Sequence, residues 1–389
     1  MSAFQPRNLS TTALMLCGLA GCKGCKNEDD KGTPSDDSAE IDLCPDFTND
    51  WGQWLSLGVM PDGTPAAAAY DRTKGGLSFA LRNEDGEWCH EEADGYAGAD
   101  GLDPGDRGAY ASMAIASDGT VWVGEQDLKG HSLRYAMRDT AGVWTAGIAD
   151  SGGGAAPDAG YWASLALDAK GAPVIAHYDK GKGALRIAHW GGTAFSAEVV
   201  DEGSDVTDDS GTVIEADVGS YANLVIANGT EYIAYYDGAA GALKLAIGTS
   251  GAYSTEVVDD TADVGAWPDM LVDDQGNITI AYQDLTNQDL KLAQGTPGAF
   301  TLSVVEDGEY RGADAALFMN GTYPAIVSFD GRDNNILLSQ EAGGTWTTDT
   351  LAGDDAALGY HNEVIEAGGV HYVGCYDYTN RSLWFEQLD

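Results

Sequence analysis

Residues 232–246 read YIAYYDGAAGALKLA: two short apolar runs flank a Gly- and Ala-rich loop, and an Asp closes the first run. Residues 174–188, VIAHYDKGKGALRIA, and residues 279–293, TIAYQDLTNQDLKLA, repeat the pattern. Apolar runs of this length bounded by turn residues read as strands, so each stretch is a hairpin. The pattern occurs seven times, with its Asp at Asp71, Asp127, Asp179, Asp237, Asp284, Asp330 and Asp377. In every copy an aliphatic residue follows six positions later: Leu77, Leu133, Leu185, Leu243, Leu290, Ile336 and Leu383. The Asp spacing of 46 to 58 residues is the period of a repeat architecture.

Working outward from the hairpin completes the unit. Each copy opens on Gly-x-aromatic, as in GQWLS, GAYAS, GYWAS, GSYAN and GAWPD; the last two drift to GADAA and GYHNE. A tight turn follows, at Asp62-Gly63, Asp118-Gly119, Lys170-Gly171, Asn228-Gly229, Gln275-Gly276, Asn320-Gly321 and Gly368-Gly369. Asn-Gly and Asp-Gly favour type I′ hairpin turns, which need positive φ. The repeated Asp ends the second strand and the aliphatic residue lies on the third. A fourth begins near Trp88, Trp144, Phe195, Tyr253, Phe300 or Trp346. The unit is a four-stranded antiparallel meander, which buries both faces only by stacking on its neighbours. The fold class is therefore all-β, a seven-bladed β-propeller. An open solenoid would need distinctive caps, and the sequence has none. The seventh unit stops after three strands. Residues 38–42, SAEID, match residues 196–200, SAEVV, in a fourth strand, so an N-terminal strand is expected to complete the last blade.

The chain has 389 residues and a net charge of −42, from 62 acidic and 20 basic residues. Such a field repels phosphate backbones and excludes nucleic acid as a partner. It attracts cations and basic partners, and it also serves solubility. The acidic stretches of the blade connections hold Asp100, Asp103 and Asp106, then Asp205, Asp208 and Asp209. Ca²⁺ takes oxygen ligands from loops of this kind. Calcium is thus a candidate cofactor, although neither stretch has the EF-hand spacing. The alternative is a solvated acidic loop.

Residues 11–21, TTALMLCGLAG, form an apolar run too short to span a membrane, which needs about 20 residues. The run reads as a signal peptide. It ends in Leu19-Ala20-Gly21-Cys22, which resembles the lipobox of bacterial lipoproteins. That resemblance implies that residues 1–21 are removed and that Cys22 is lipidated, anchoring an exported protein to the membrane. Lys23 after the Cys, in place of Asp, favours the outer membrane or cell surface. Residues 22–37 are polar and charged and read as a flexible tether; residues 38–389 form the propeller. Cys25, Cys44, Cys89 and Cys375 remain, and export permits disulfides, with three full pairings open.

The repeats are similar to bacterial seven-bladed propellers of the broad WD40, YVTN and BNR repeat-like group. The sialidase Asp-box is echoed only at Asp85-Gly86-Glu87-Trp88 and Gly344-Thr345-Trp346. In such propellers the start of the innermost strand and the loop between strands two and three share one mouth of the central channel. That geometry implies a ring of Trp54, Tyr110, Trp162, Tyr221, Trp267, Asp314 and His361. Two positions on, with side chains alternating, come Ser56, Ser112, Ser164, Asn223, Asp269, Ala316 and Glu363. Aromatic rings beside hydroxyl and carboxylate groups suit sugars, peptide side chains or cations. Rings repeated in most blades also suit packing between blades. Asp314, Ala316, His361 and Glu363 break the pattern and direct attention to blades six and seven. The second ring, of repeated Asp residues, reads as a structural device of the loop.

Catalysis has fewer signals. There is no Gly-x-Ser-x-Gly elbow and no HExxH. A sialidase-like site needs clustered arginines, and only Arg107 and Arg311 precede innermost strands, in non-adjacent blades. Asp269, Asp314 and Glu363 are the best carboxylates for a hydrolase or lyase, with His361 as a base. The reading carried forward is a monomeric, lipid-anchored binding or scaffold module for a glycan, peptide or protein, with no catalytic residues assigned. A propeller glycoside hydrolase or lyase is the alternative.

Overall fold

Each repeat folds as the meander its punctuation implies. A computed structural model describes residues 44, 47–96, 105–208, 210–353 and 355–388. The first blade runs Trp51–Val59, Pro65–Asp71, Gly76–Arg82 and Trp88–Asp94, paired antiparallel in chain order. Five further four-stranded blades and one three-stranded blade follow, and no helix occurs among the described residues. The innermost strands are Trp51–Val59, Arg107–Ile115, Ala159–Leu167, Val218–Ala227, Val264–Val272, Ala313–Asn320 and Tyr360–Ala367. Each packs against the next, and the last packs against the first, so the ring is closed. The seventh sheet ends at Ser382–Gln387; residues 38–42, expected to complete it, lie outside the described residues. A small extra hairpin, Val206–Thr207 with Val213–Ile214, occupies the connection between blades three and four.

The repeated Asp and the aliphatic residue six positions later have separate jobs at one joint. The Asp carboxylate accepts N–H groups of its own loop, as from Thr73 to Asp71 (3.0 Å), Ala240 to Asp237 (2.9 Å) and Thr379 to Asp377 (2.9 Å). This holds the residue four places on in the left-handed region, whether it is Gly75 or the non-glycines His131, Gln288, Asn334 and Arg381. The carbonyl of that residue then accepts a backbone N–H from the next blade. Val264 donates to Gly241 (3.2 Å), and Trp51 donates to Arg381 (3.2 Å) across the closing seam. The aliphatic residue is fully buried in the first six blades. The opening Gly of the next blade lies on its backbone. A Cβ on Gly265 (φ +105°) would stand 2.6 Å from the Leu243 Cα, and one on Gly108 (φ +101°) 2.9 Å from the Leu77 Cα. Only glycine fits so close an approach at that φ.

Buried charges lock the same joints. The fourth strand ends on an acidic residue that accepts from a cation on the third strand of the next blade. Arg186 reaches Asp150 (2.6 Å), Lys244 reaches Asp201 (2.6 Å) and Lys291 reaches Asp259 (2.6 Å). Tyr235 and Tyr282 donate to the same Asp201 and Asp259 carboxylates (2.6 and 2.7 Å). Arg107 bridges Asp94 (2.8 Å) and Asp127 (3.2 Å), and Arg311 links Glu306 (2.9 Å) to Asp330 in the same way. Both arginines are thus engaged inside blade joints.

Two local expectations change. The type I′ turn, with both residues at positive φ, forms at Asn228-Gly229 and Gly368-Gly369. At Asp62-Gly63 and Asp118-Gly119 only the Gly is left-handed. There the Asp carboxylate accepts the N–H two residues on (3.0 and 2.9 Å), and the loop closes over three residues. Of the cysteines, Cys44 pairs with Cys89, whereas Cys375 is buried and free. Gly359 donates its N–H to the Cys375 Sγ (3.4 Å). Cys22 and Cys25 lie outside the described residues.

Candidate binding site at the channel mouth

The innermost strands do not keep a strict alternation of side chains. Each carries a register shift at its aromatic position, as between Gln53 and Ser56 or Ala266 and Asp269. The extra residue is a β-bulge, and it puts one residue per blade at positive φ. Those residues are Trp54, Tyr110, Trp162, Tyr221, Trp267, Asp314 and His361, with φ between 46° and 57°. All seven line one cavity of about 170 Å³ at the channel mouth. Away from this cavity, Tyr96 donates its hydroxyl to Asp71 (3.0 Å).

The rings touch in sequence. Centroids lie 6.0 Å apart for His361 and Trp54, 5.1 Å for Trp54 and Tyr110, and 5.3 Å for Tyr110 and Trp162. Trp162 and Tyr221, then Tyr221 and Trp267, are each 4.6 Å apart. Six rings form a belt, and Asp314 fills its one gap. The aromatic residues therefore pack between blades and face the channel at once. Among the described residues none accepts from the indole N–H of Trp54, Trp162 or Trp267, and none pairs with the hydroxyls of Tyr110 and Tyr221.

The second ring stitches the inner strands together. The Oγ of Ser56 accepts the Met113 N–H (3.0 Å), that of Ser112 the Leu165 N–H (2.9 Å) and that of Ser164 the Leu224 N–H (2.9 Å). Asn223 donates to Asp269 (2.8 Å), and Asp269 accepts the Leu317 N–H (2.6 Å). The stitching stops at Ala316, which has no polar atom to offer blade seven. A second cavity of about 220 Å³ opens there, lined by Asp269, Ala316, Asn362 and Glu363 among others. Glu363 borders both cavities.

Burial dominates the electrostatics. It pushes the Glu363 carboxyl up to about 8, with the Asp269 charge adding to the effect. It pushes Asp269 up to about 6, against hydrogen bonds from Leu317, Met270 and Asn223 that pull it down. Asp314 is raised by burial, with His361 opposing; His361 is lowered by burial, with Asp314 opposing. Among the described residues no Lys or Arg lines either cavity.

Of the acidic loop residues, Asp106 accepts the Tyr70 hydroxyl (2.6 Å), Asp205 the Ala216 N–H (3.0 Å) and Asp208 the N–H groups of Ser210 and Thr212 (2.9 and 2.8 Å). Asp100, Asp103 and Asp209 lie outside the described residues. Among the described residues no three or more His, Cys, Asp or Glu side chains gather as a metal site.

The left-handed bulge is the feature that sequence reasoning missed. Its signal was present: none of the seven positions is β-branched, and the two departures from aromatic character are Asp and His, which tolerate positive φ.

No protein-family model and no curated protein matches the chain. Solved structures do. The polysaccharide lyase PL25-Ulvanlyase shares 11% identity over 88% of this chain and 95% of its own, with a TM-score of 0.57. Polysaccharide lyase Uly1 shares 12% over 85% and 88%, at 0.53. The Hadza microbial sialidase Hz136 shares 11% over 78% and 66%, at 0.50. What they share with this chain is the propeller fold. Activity does not follow from fold.

Proposed function

We propose that the protein is a glycan-related binding module whose site is the channel mouth, presented at the cell envelope on a lipid tether attached at Cys22. The observation that carries this reading is the belt of six rings whose N–H and O–H groups have no partner among the described residues. Aromatic planes with free polar edges suit sugar rings. The lyases and the sialidase named above make glycans the first ligand class to test. A cavity of about 170 Å³ fits one terminal residue of a chain better than its interior.

The test is a glycan panel on the purified full-length protein, read by tryptophan fluorescence and calorimetry. Saturable binding that disappears in Trp162→Ala, with the melting profile retained, supports the reading. Binding that survives in Trp162→Ala, or no binding across the panel, overturns it. A catalytic reading draws on one specific observation, that Asp269 and Glu363 line the second cavity together, where burial pushes their carboxyls up to about 6 and about 8. Such a split suits an acid and a base. Turnover of a bound glycan, lost in both Asp269→Asn and Glu363→Gln, would favour that reading.

A further inference from the structure

A carboxylate taken out of water needs a cation, a dense set of hydrogen bonds or a proton. At the blade joints the acidic residues have the first solution. Asp150, Asp201 and Asp259 each meet an Arg or Lys at 2.6 Å. At the channel the arrangement differs. Asp269 has its hydrogen bonds, but among the described residues no protein hydrogen bond reaches the Glu363 carboxyl, and the Asp314 carboxyl has the backbone N–H and the charge of His361. Burial drives His361 toward its neutral form. Among the described residues the chain thus supplies cations to its acids at the joints and places none beside the half-buried carboxyls at the mouth.

The remaining wall is aromatic. Five of the six rings around the entrance are Trp or Tyr, whose negative faces attract organic cations, most of all when desolvated. The protein's charge of −42 draws cations toward any opening. An anionic ligand, by contrast, would find no Lys or Arg among the described residues of either cavity. Ring faces, uncompensated carboxyls and the missing bases all describe one kind of guest.

We infer that the mouth takes a ligand bearing an organic ammonium group, held inside the aromatic belt and against Asp314 and Glu363. The inference rests on the proposed reading of the mouth as the binding site and narrows its ligand: an amine-bearing sugar or side chain, in place of an acidic one. The titratable groups facing Glu363 are Asp269 from blade five, Asp314 from blade six and His361 from its own strand; Tyr110 and Tyr221 complete the set in the belt. The tyrosines stay protonated, Tyr110 being pushed up to about 12. Binding of a permanently charged ammonium therefore strengthens as pH rises through the range in which Glu363 loses its proton.

The experiment compares choline with its uncharged isostere 3,3-dimethylbutan-1-ol on the full-length protein, at matched ionic strength. Tryptophan fluorescence reports the belt and calorimetry the affinity. Choline is expected to saturate, to exceed the isostere by about tenfold or more, and to tighten from about pH 6 to about pH 9. In Asp314→Asn/Glu363→Gln the preference should vanish. Equal binding of the two probes overturns the inference, as does a preference that survives in the double variant. Saturation by a neutral glycan with no response to choline also overturns it while leaving the mouth as the site. Silence toward both the glycan panel and choline removes site and inference together. Trp54→Ala separates belt binding from general attraction of cations to the acidic surface, since only the former is lost.

Discussion

A Trp or Tyr at φ near +50° crowds its Cβ against the backbone, at a cost of about 1–3 kcal/mol. This chain keeps five of them at equivalent positions. Replacing Trp162 by Gly should relieve the strain that Ala retains, so Trp162→Gly is expected to be more stable than Trp162→Ala by about 1 kcal/mol. Urea unfolding of the two variants checks this; a more stable Ala variant would contradict the left-handed bulge. Glu363 offers a second measurement. Its carboxyl sits at about 8 in the folded chain against an ordinary 4.5. The folded state binds this proton more tightly than the unfolded state. Its stabilising contribution is therefore complete below the ordinary value and is lost as pH rises through about 8. The melting temperature of the wild type should fall relative to Glu363→Gln between about pH 5 and about pH 9, and a constant difference would be inconsistent with the raised carboxyl. Asp314, His361 and Glu363 were legible in the sequence as breaks in a repeat. The bulge beneath them was not, because alternation has no place for an extra residue until the strand pairing is known.

At the scale of the strand, the cation on the third strand belongs to a buried polar network. The side chains of Lys291 and Asp259 are 9% and 0% accessible, and Tyr282 donates to the same carboxylate. Removing the Lys leaves a buried charge with neutral donors alone, the Tyr282 hydroxyl and the N–H and hydroxyl of Thr261. Lys291→Met is expected to destabilise the protein by about 3–5 kcal/mol, read as a lower urea midpoint. An unchanged midpoint would mean that the carboxyl takes up a proton at little cost. The strand order and the seven Asp residues could be read from the repeat alone. The role of the opening Gly could not. Its partner is the aliphatic residue of the preceding blade, and that contact exists only after the blades stack. The same holds for Arg107 and Arg311, whose acidic partners come from two different blades.

For the whole molecule, 62 acidic residues against 20 basic ones set a repulsion that folding must overcome. Salt shortens its reach from about 30 Å at 0.01 M to about 3 Å at 1 M. The melting temperature should rise with NaCl across that range, most steeply at the low end. A melting temperature independent of salt would show that the charge is already compensated by bound ions. Ring closure was legible because every unit carries the same joint. The closing seam has it too, in the N–H of Trp51 and the carbonyl of Arg381.

The Cys44–Cys89 bond gives the disk a load path. Cys89 is the second residue of the outermost strand of blade one, Trp88–Asp94. A pull arriving along the chain from before residue 44 is therefore passed to the rim of the ring. It does not reach the inner strand that begins at Trp51 and carries Trp54. The mouth would keep its shape under drag for as long as that bond is oxidised. A reducing medium would reroute the same force straight into the belt.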